Sequence, residues 1–365
     1  MKVLISGGGT AGHINPAIAI GTRLKAMGAE VMYIGSDGSL EQKLYSKTGC
    51  PYLQVASKGL DRKHLLKNFE ILATDCKAFF RIRKAVREFR PDVGVSTGGY
   101  ISALAMYALN CKGIPFLIHE QNAYPGLTTR LLSRWAKKYA VAFGDAIPYL
   151  KHPNRASITG NPIRSDFSSI TQEEARALLG ISPEEKVVLS FGGSLGALKL
   201  NEAVAGIIAS AQKDDITLLI GTGSRYYEQF CSQIHTHNTQ NNNIKILQYI
   251  DNMPAYLAAC DVAITRAGAM TVSELCAAGT PGILIPSPNV TANHQDKNAQ
   301  AMVSAGAAIK IPESELTAQR LYQTLSDLIN HPDTLRKMKQ NAQKIAITDA
   351  DERIAAMVTE IAGKQ

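Results

Sequence analysis

Polar side chains crowd one stretch of the chain, residues 261–298, DVAITRAGAMTVSELCAAGTPGILIPSPNVTANHQDKN. Arg266, Gly268, Thr271, Ser273, Glu274, His294 and Gln295 fall where short apolar runs give way to turns and helix starts. Such a set offers one cation, one carboxylate and several neutral donors, which suits a polar ligand. Turn and cap chemistry could account for Thr271 and Asn293, but it leaves Glu274 without a task. A second candidate set opens the chain. Gly7-x-Gly9-x-x-Gly12 leads directly to His13. A glycine-rich turn exposes backbone N–H groups that suit phosphate. An imidazole, with an ordinary pKa of about 6.5, can take a proton in catalysis. Alternatively, His13 is a helix-start histidine bonded to a nearby carbonyl.

Three further groups lie between these two. HEQN (119–122) ends an apolar run ahead of a Pro-Gly turn, with Asn122 the best placed to project. His119 and Glu120 are adjacent and do not make the HExxH zinc pattern. Arg164, in GNPIR, could reach an anion or lie on the surface. Gly192-x-Ser194-x-Gly196 fits both a phosphate turn and a nucleophile elbow. The elbow would need Asp261 and His294 as partners, and Asp261 stands at the start of its strand, the wrong end for a triad. Ser194 reads better as a phosphate ligand.

The elements that carry these residues repeat one plan: apolar run, glycine turn, helix. VLIS (3–6) precedes a helix over Pro16–Met27. PDVGVSTGGYISALAMYAL, PFLIHEQNAYPGL, KVVLSFGGSLGALKLNEAVAGII and the opening stretch follow suit. There the spacing predicts a helix over TVSELCAAG, and another opened by NVTANHQDKN. This is the pattern of parallel βαβ units, where ligands sit beyond the carboxyl ends of the strands. The chain therefore reads as two Rossmann-like halves joined near ITGNPIRSDF (158–167). An NAD-dependent oxidoreductase explains only the first loop. The acidic residue expected about twenty positions on is displaced, with Gly35 and Ser36 standing before Asp37.

Length and charge narrow the classes. The 365 residues exceed one ordinary core, and no apolar run approaches the roughly 18 needed for a membrane span. The four-residue run in MKVLISGGG suits a first strand better than a signal peptide. Six cysteines without a CxxC pair suggest free thiols in a reducing cytoplasm. No cluster of carboxylates resembles a metal site. Residues 1–164 hold 23 Lys and Arg against 10 Asp and Glu, whereas residues 165–365 hold 16 against 21. A basic first half points to an anionic partner: nucleic acid, lipid headgroups or a phosphorylated substrate. Residues 63–90 form a long helical stretch, either continuous or broken in two. Leu65, Leu66, Phe69 and Phe79 lie on one side, and Lys63, Lys67, Arg83 and Arg87 on the other. Phe79 and Phe80 followed by RIRK cannot all point inward, leaving an apolar edge among cations, as at a membrane interface.

Seven motifs in order, GGGTAGH, TGGY, HEQN, GNPIR, GGSLGA, RAGAMTVSE and HQDKNA, span Gly7 to Ala299 and resemble the MurG family. These are UDP-N-acetylglucosamine transferases of peptidoglycan synthesis. The chain differs at His294, where some members carry glutamine. The resemblance implies an α/β chain with the GT-B glycosyltransferase fold, two Rossmann-like domains facing across a cleft. Expected boundaries are 1–162 for an acceptor and membrane-facing domain and 163–340 for the UDP-GlcNAc domain. Residues 341–365 would be a helix packing back on the first domain. The implied reaction is an inverting transfer of GlcNAc from UDP-GlcNAc to the C4 hydroxyl of the muramyl sugar of lipid I, forming lipid II. With no clustered carboxylates to hold magnesium, chemistry without metal or cofactor is the consistent expectation. Thr10, Ala11 and Gly12 would lie by the sugar and diphosphate. Asn122, Arg164, Ser194 and Gln295 would hold the donor, and Ile250 would meet uracil through its backbone. Ala269, Met270, Thr271, Val272, Ser273 and Glu274 would wrap the nucleotide, with Glu274 on the ribose hydroxyls. His13 is the candidate base. The implied partners are UDP-GlcNAc, lipid I and an anionic membrane surface met through segment 63–90, with no nucleic acid. Other cell-wall synthesis proteins are open partners, in line with a peripheral enzyme on the cytoplasmic face of the cell membrane that serves cell shape and division. Two other classes remain open: a GT-B transferase with another acceptor, and a non-catalytic sugar-nucleotide binder.

Overall fold

A computed structural model describes residues 1–36, 39–56, 67–235, 243–290 and 293–363. The chain divides into two compact units, Met1–Ile163 with Asp349–Gln365, and Arg164–Thr348. The first contains β1 (Lys2–Gly7), α1 (Ala11–Ala26), β2 (Glu30–Ser36), α2 (Ser39–Tyr45), β3 (Tyr52–Val55), α3 (Lys67–Phe89), β4 (Val93–Gly98), α4 (Tyr100–Asn110), β5 (Phe116–Glu120), α5 (Leu127–Leu132), β6 (Lys138–Val141) and β7 (Ala156–Ile158). The second runs α6 (Asp166–Ser169), α7 (Gln172–Leu179), β8 (Lys186–Phe191), α8 (Leu198–Lys213), β9 (Ile216–Gly221), α9 (Tyr227–His235), β10 (Ile244–Leu247), α10 (Met253–Ala259), β11 (Val262–Thr265), α11 (Ala269–Ala278), β12 (Gly282–Leu284), α12 (His294–Ser304), β13 (Ala308–Lys310), α13 (Ala318–Ile329) and α14 (Pro332–Ile345). α15 (Ala350–Ala362) belongs to the first unit.

Both sheets are parallel. Their strand orders are β3-β2-β1-β4-β5-β6-β7 and β10-β9-β8-β11-β12-β13. Each order reverses direction once, between β1 and β4 in one unit and between β8 and β11 in the other. The crevices outside those strand ends are where a doubly wound sheet accepts a ligand. The sequence reason is direct. VLIS, VVLSF and VAIT are buried on both faces, so they are apolar without alternation. Helices cover both faces, and Gly21 inside α1 leaves room for the Tyr33 ring, whose hydroxyl would lie 2.0 Å from a Cβ there.

Three helix starts differ from the sequence reading. α1 begins at Ala11, so Pro16 lies inside it rather than at its start. The missing N–H of Pro16 forfeits only a bond to the carbonyl of Gly12, a residue open to water. α11 begins at Ala269, which draws Ala269 and Met270 out of the expected turn into the helix. α12 begins at His294 after Asn293, whose φ of 53° stops the helix from extending upstream. α3 is continuous over its described residues. Lys63, Leu65 and Leu66 lie outside the described residues.

The last helix returns to the first unit because its apolar face is needed there. Ile354, Ala355, Val358 and Ile361 are buried with Ile14, Ile20, Leu24 and Leu117. Arg23 pairs with Glu352 at 2.6 Å, and Lys138 pairs with Glu360. These partly exposed ion pairs contribute little beside the apolar contact. Ile354→Ala should therefore cost about 3 kcal/mol of unfolding free energy in urea titrations.

Candidate active site

In the first unit the glycine turn delivers His13 to the reversal point. Thr10, Ala11 and Gly12 open α1 with no side chain capping its start, and all three are exposed. His13 follows, half-buried. Gly98, at the end of β4, makes room for the imidazole: a Cβ built there would lie 2.8 Å from His13 Nδ1, and its φ is +103°. Thr97 Oγ1 donates to the carbonyl of His13 at 2.7 Å. The ring itself meets Gln121, with His13 Nδ1 3.0 Å from Gln121 Oε1. Gln121 Nε2 lies 2.9 Å from His119 Nδ1, and His119 Nε2 lies 3.2 Å from the carbonyl oxygen of Gly160. His119 is fully buried, and that burial pushes its pKa down to about 4, so it is neutral.

The neighbouring groups hold this arrangement. Glu120 is buried and accepts from the backbone N–H of Asn122 at 3.0 Å, from Asn122 Nδ2 at 3.2 Å and from Gly126 at 3.2 Å. Its oxygens pin the loop that presents Asn122. The first glycine turn departs from a bare phosphate cradle, because Gly9 donates its N–H to Glu41 Oε1 at 2.9 Å. Sequence reasoning missed the tasks of Gln121, Glu120 and Glu41. The position of HEQN at a strand end was the signal for the first two, and nothing in the sequence pattern pointed to Glu41.

In the second unit the equivalent turn, Gly192–Ala197, is locked differently. Gly196 has φ +82°, and a Cβ on it would sit 2.1 Å from the carbonyl oxygen of Thr222. Ser224 donates its N–H to the Ser194 carbonyl at 3.2 Å, which leaves the Ser194 residue itself exposed. Across the reversal point, α11 starts at Gly268 with no side-chain cap and no acidic residue in its first turn. This start carries the positive end of the helix dipole. Within α11, Ala269 and Val272 are buried, while Met270, Thr271, Ser273 and Glu274 are partly open. Ser273 donates to the Ala269 carbonyl at 3.1 Å. Ile250 buries its side chain against Gly221. Gln295 Oε1 accepts from the N–H of Ser287 at 2.9 Å. Buried Asn298 donates to the Ala267 carbonyl at 3.2 Å, tying α12 to the turn before α11. Arg164 is exposed, 3.1 Å from Asp166, with its guanidinium over Phe167.

Some polar groups turn out to be structural. Arg266 pairs with Glu313 and donates to the carbonyl of Ile285 at 3.1 Å, so it braces the sheet rather than facing a ligand. Asp261 accepts from Arg176 through both oxygens at 3.1 Å and from the N–H of Val187 at 2.8 Å. Those bonds use up the carboxylate and remove it from any nucleophile-elbow triad. Among the described residues no three His, Cys, Asp or Glu side chains come together.

Each unit thus carries its polar groups at the reversal point of a parallel sheet: a histidine in the first and, in the second, a helix start with a carboxylate one turn in. The glycosyltransferase family 28 N-terminal domain matches residues 3–141, and the family 28 C-terminal domain matches residues 187–354. The chain is 40% identical over 356 residues to the UDP-N-acetylglucosamine--N-acetylmuramyl-(pentapeptide) pyrophosphoryl-undecaprenol N-acetylglucosamine transferase of Alkaliphilus oremlandii, covering 97% of each chain. It is 38% identical to the protein of the same name from Ruminiclostridium cellulolyticum, covering 99% of this chain and 100% of that one. The crystal structure of Acinetobacter baumannii MurG superposes with a TM-score of 0.79 at 27% identity, over 98% of this chain and 99% of that one. The fold alone is shared with a UDP-GlcNAc 2-epimerase from Neisseria meningitidis, at a TM-score of 0.70 and 14% identity over 99% of this chain and 100% of that one. The chain belongs to the MurG family of glycosyltransferases.

Glu274, on α11, has a displaced acidity. Although the residue is partly open at the surface, desolvation of its carboxyl raises its pKa from 4.5 to about 7, Arg164 opposes that rise and Asp166 adds to it. The folded protein therefore keeps a proton that the unfolded chain releases. Stability from this carboxyl is full below pH 4.5 and is lost as pH rises through 7. Glu274→Gln removes that loss. The ligand-free variant should match the parent at about pH 4 and exceed it by up to about 3 kcal/mol at about pH 8, read from urea midpoints.

Proposed function

We propose that the chain transfers GlcNAc from UDP-GlcNAc to the C4 hydroxyl of the muramyl sugar of lipid I, with inversion, giving lipid II at a membrane surface. The observation that carries this reading is His13, set at the first unit's reversal point with Nδ1 engaged by Gln121 and the rest of the ring half-open. His13 takes the proton of the acceptor hydroxyl as its oxygen attacks the anomeric carbon of the donor. The bond from that carbon to the diphosphate breaks, and its electron pair leaves with UDP.

The second unit holds the donor in this scheme. Glu274 accepts from the ribose hydroxyls, Ile250 meets uracil through its backbone, and Ala269 to Ser273 wrap the nucleotide. Ser194, Gln295 and Arg164 bind the rest of the donor. The open start of α11 and the Arg164 guanidinium oppose the charge that develops on the leaving diphosphate. Such preorganised donors act most strongly on charge that appears only in the transition state. His13→Ala should lower kcat at least tenfold, within the usual roughly 10²–10⁴-fold share of a general base, with UDP-GlcNAc affinity retained. Disaccharide formation from a lipid I analogue measures the first quantity and calorimetry the second. A smaller loss would remove His13 from the chemistry.

A surface of the first unit supports the membrane part of the proposal. Phe80 is 66% exposed and Leu72 59% on α3, with Tyr107 45% exposed on α4 and Trp135 42% just after α5. Phe79 and Tyr107 lie 5.8 Å apart, as do Tyr107 and Trp135, so the rings form one strip. Arg83 sits over Phe79 and Arg134 over Trp135. Rings flanked by cations suit the boundary between acyl chains and anionic headgroups. No helix among the described residues is long and apolar enough to cross a membrane. Reversing charge at Arg81, Arg83 and Lys84 together should reduce co-sedimentation with anionic vesicles at least tenfold, at about 1 kcal/mol per charge. Binding to neutral vesicles should change little.

A further inference from the structure

We infer that Gln121, oriented by His119, is a positioning residue that sets the tautomer of His13 and leaves Nε2 as the atom that receives the acceptor proton. This inference rests on the reading of His13 as the base and adds which nitrogen acts and what chooses it.

The argument starts at an atom with a single role. The carbonyl oxygen of Gly160 can only accept, so His119 Nε2, 3.2 Å away, carries a hydrogen. Buried and neutral, His119 then offers a lone pair at Nδ1. Gln121 Nε2, at 2.9 Å, donates to that lone pair, and it donates its other hydrogen to the His119 carbonyl at 3.1 Å. Both amide hydrogens are committed, which fixes the orientation of the amide group. Gln121 Oε1 therefore faces His13 Nδ1 at 3.0 Å, and an amide oxygen only accepts. His13 must carry its hydrogen on Nδ1, with the lone pair on Nε2. Free neutral histidine side chains favour the opposite tautomer, so the relay overrides an intrinsic preference.

The surroundings make the relay stiff. Gln121 and His119 are buried, where an amide without partners would be costly. Gly98 lies under the ring and Thr97 holds the His13 backbone, so the imidazole is fixed in place as well as in tautomer. During transfer Nε2 gains the hydroxyl proton, while the Nδ1–H···Oε1 bond persists and becomes charge-assisted.

Nitrogen-15 spectroscopy of protein labelled in its histidine rings tests this, with His13 assigned by its absence in His13→Ala. The wild-type protein should show His13 Nδ1 protonated and Nε2 bare. Gln121→Met, which fills the space without donor or acceptor, should shift His13 toward the Nε2–H form. It should lower kcat at least tenfold while KM for UDP-GlcNAc stays within about twofold. Gln121→Glu keeps an acceptor at Nδ1 and should restore the Nδ1–H form. A wild-type spectrum with His13 as the Nε2–H tautomer overturns the proposal even if Gln121→Met does not fold. So does a folded Gln121→Met protein with kcat within about threefold of wild type while His13→Ala loses at least tenfold. A negligible loss in His13→Ala would instead overturn the base assignment and leave the tautomer measurement to decide the relay.

Discussion

The site depends on backbone approaching closer than any side chain would allow. Where β1 and β4 diverge, a Cβ on Gly99 would lie 2.4 Å from the carbonyl oxygen of Gly8, and one on Gly98 would strike the His13 ring. Where β8 meets its neighbour, Gly196 and Gly223 abut so closely that a Cβ on Gly223 would lie 2.1 Å from the Gly196 nitrogen. Both loops lie at the carboxyl ends of fully buried strands, so the close approach is imposed by the sheet and the glycines make it feasible. Without it His13 would lose its seat and Ser194 its exposure.

The same architecture serves different chemistry in the two units. In the first, a carboxylate from α2 already engages the glycine turn, and the proposed base is the imidazole that follows. In the second, α11 opens with no cap and no acid, and its carboxylate sits a turn later with a raised pKa. A helix start left positive suits a diphosphate, whereas a histidine held by an amide suits proton transfer. Buried polar residues act as braces in both: Glu120 under Asn122, Asn298 under the turn before α11, and Arg176 on Asp261. None of these needs to touch substrate to matter.

The parallel strands were legible because burial on both faces makes them continuous apolar runs, and the glycine turns after them marked the ligand ends. Helix starts were less legible. Pro16 resembles a first-turn proline, yet the helix begins five residues earlier, at a point where one lost hydrogen bond is cheap. Side-chain tasks set by tertiary contact could not be read locally. Gln121 and His13 are 108 residues apart in sequence, and Arg266 and Glu313 are 47 apart. Arg266 therefore looked like a ligand group and is a brace, while Gln121 looked incidental and holds the candidate base.

The central claim is that this chain moves a sugar rather than merely binding its nucleotide. Purified protein incubated with UDP-GlcNAc labelled in the sugar ring and a lipid I analogue should give UDP and a labelled β-linked disaccharide in equal amounts. Saturable binding of UDP-GlcNAc with no disaccharide formed would contradict it.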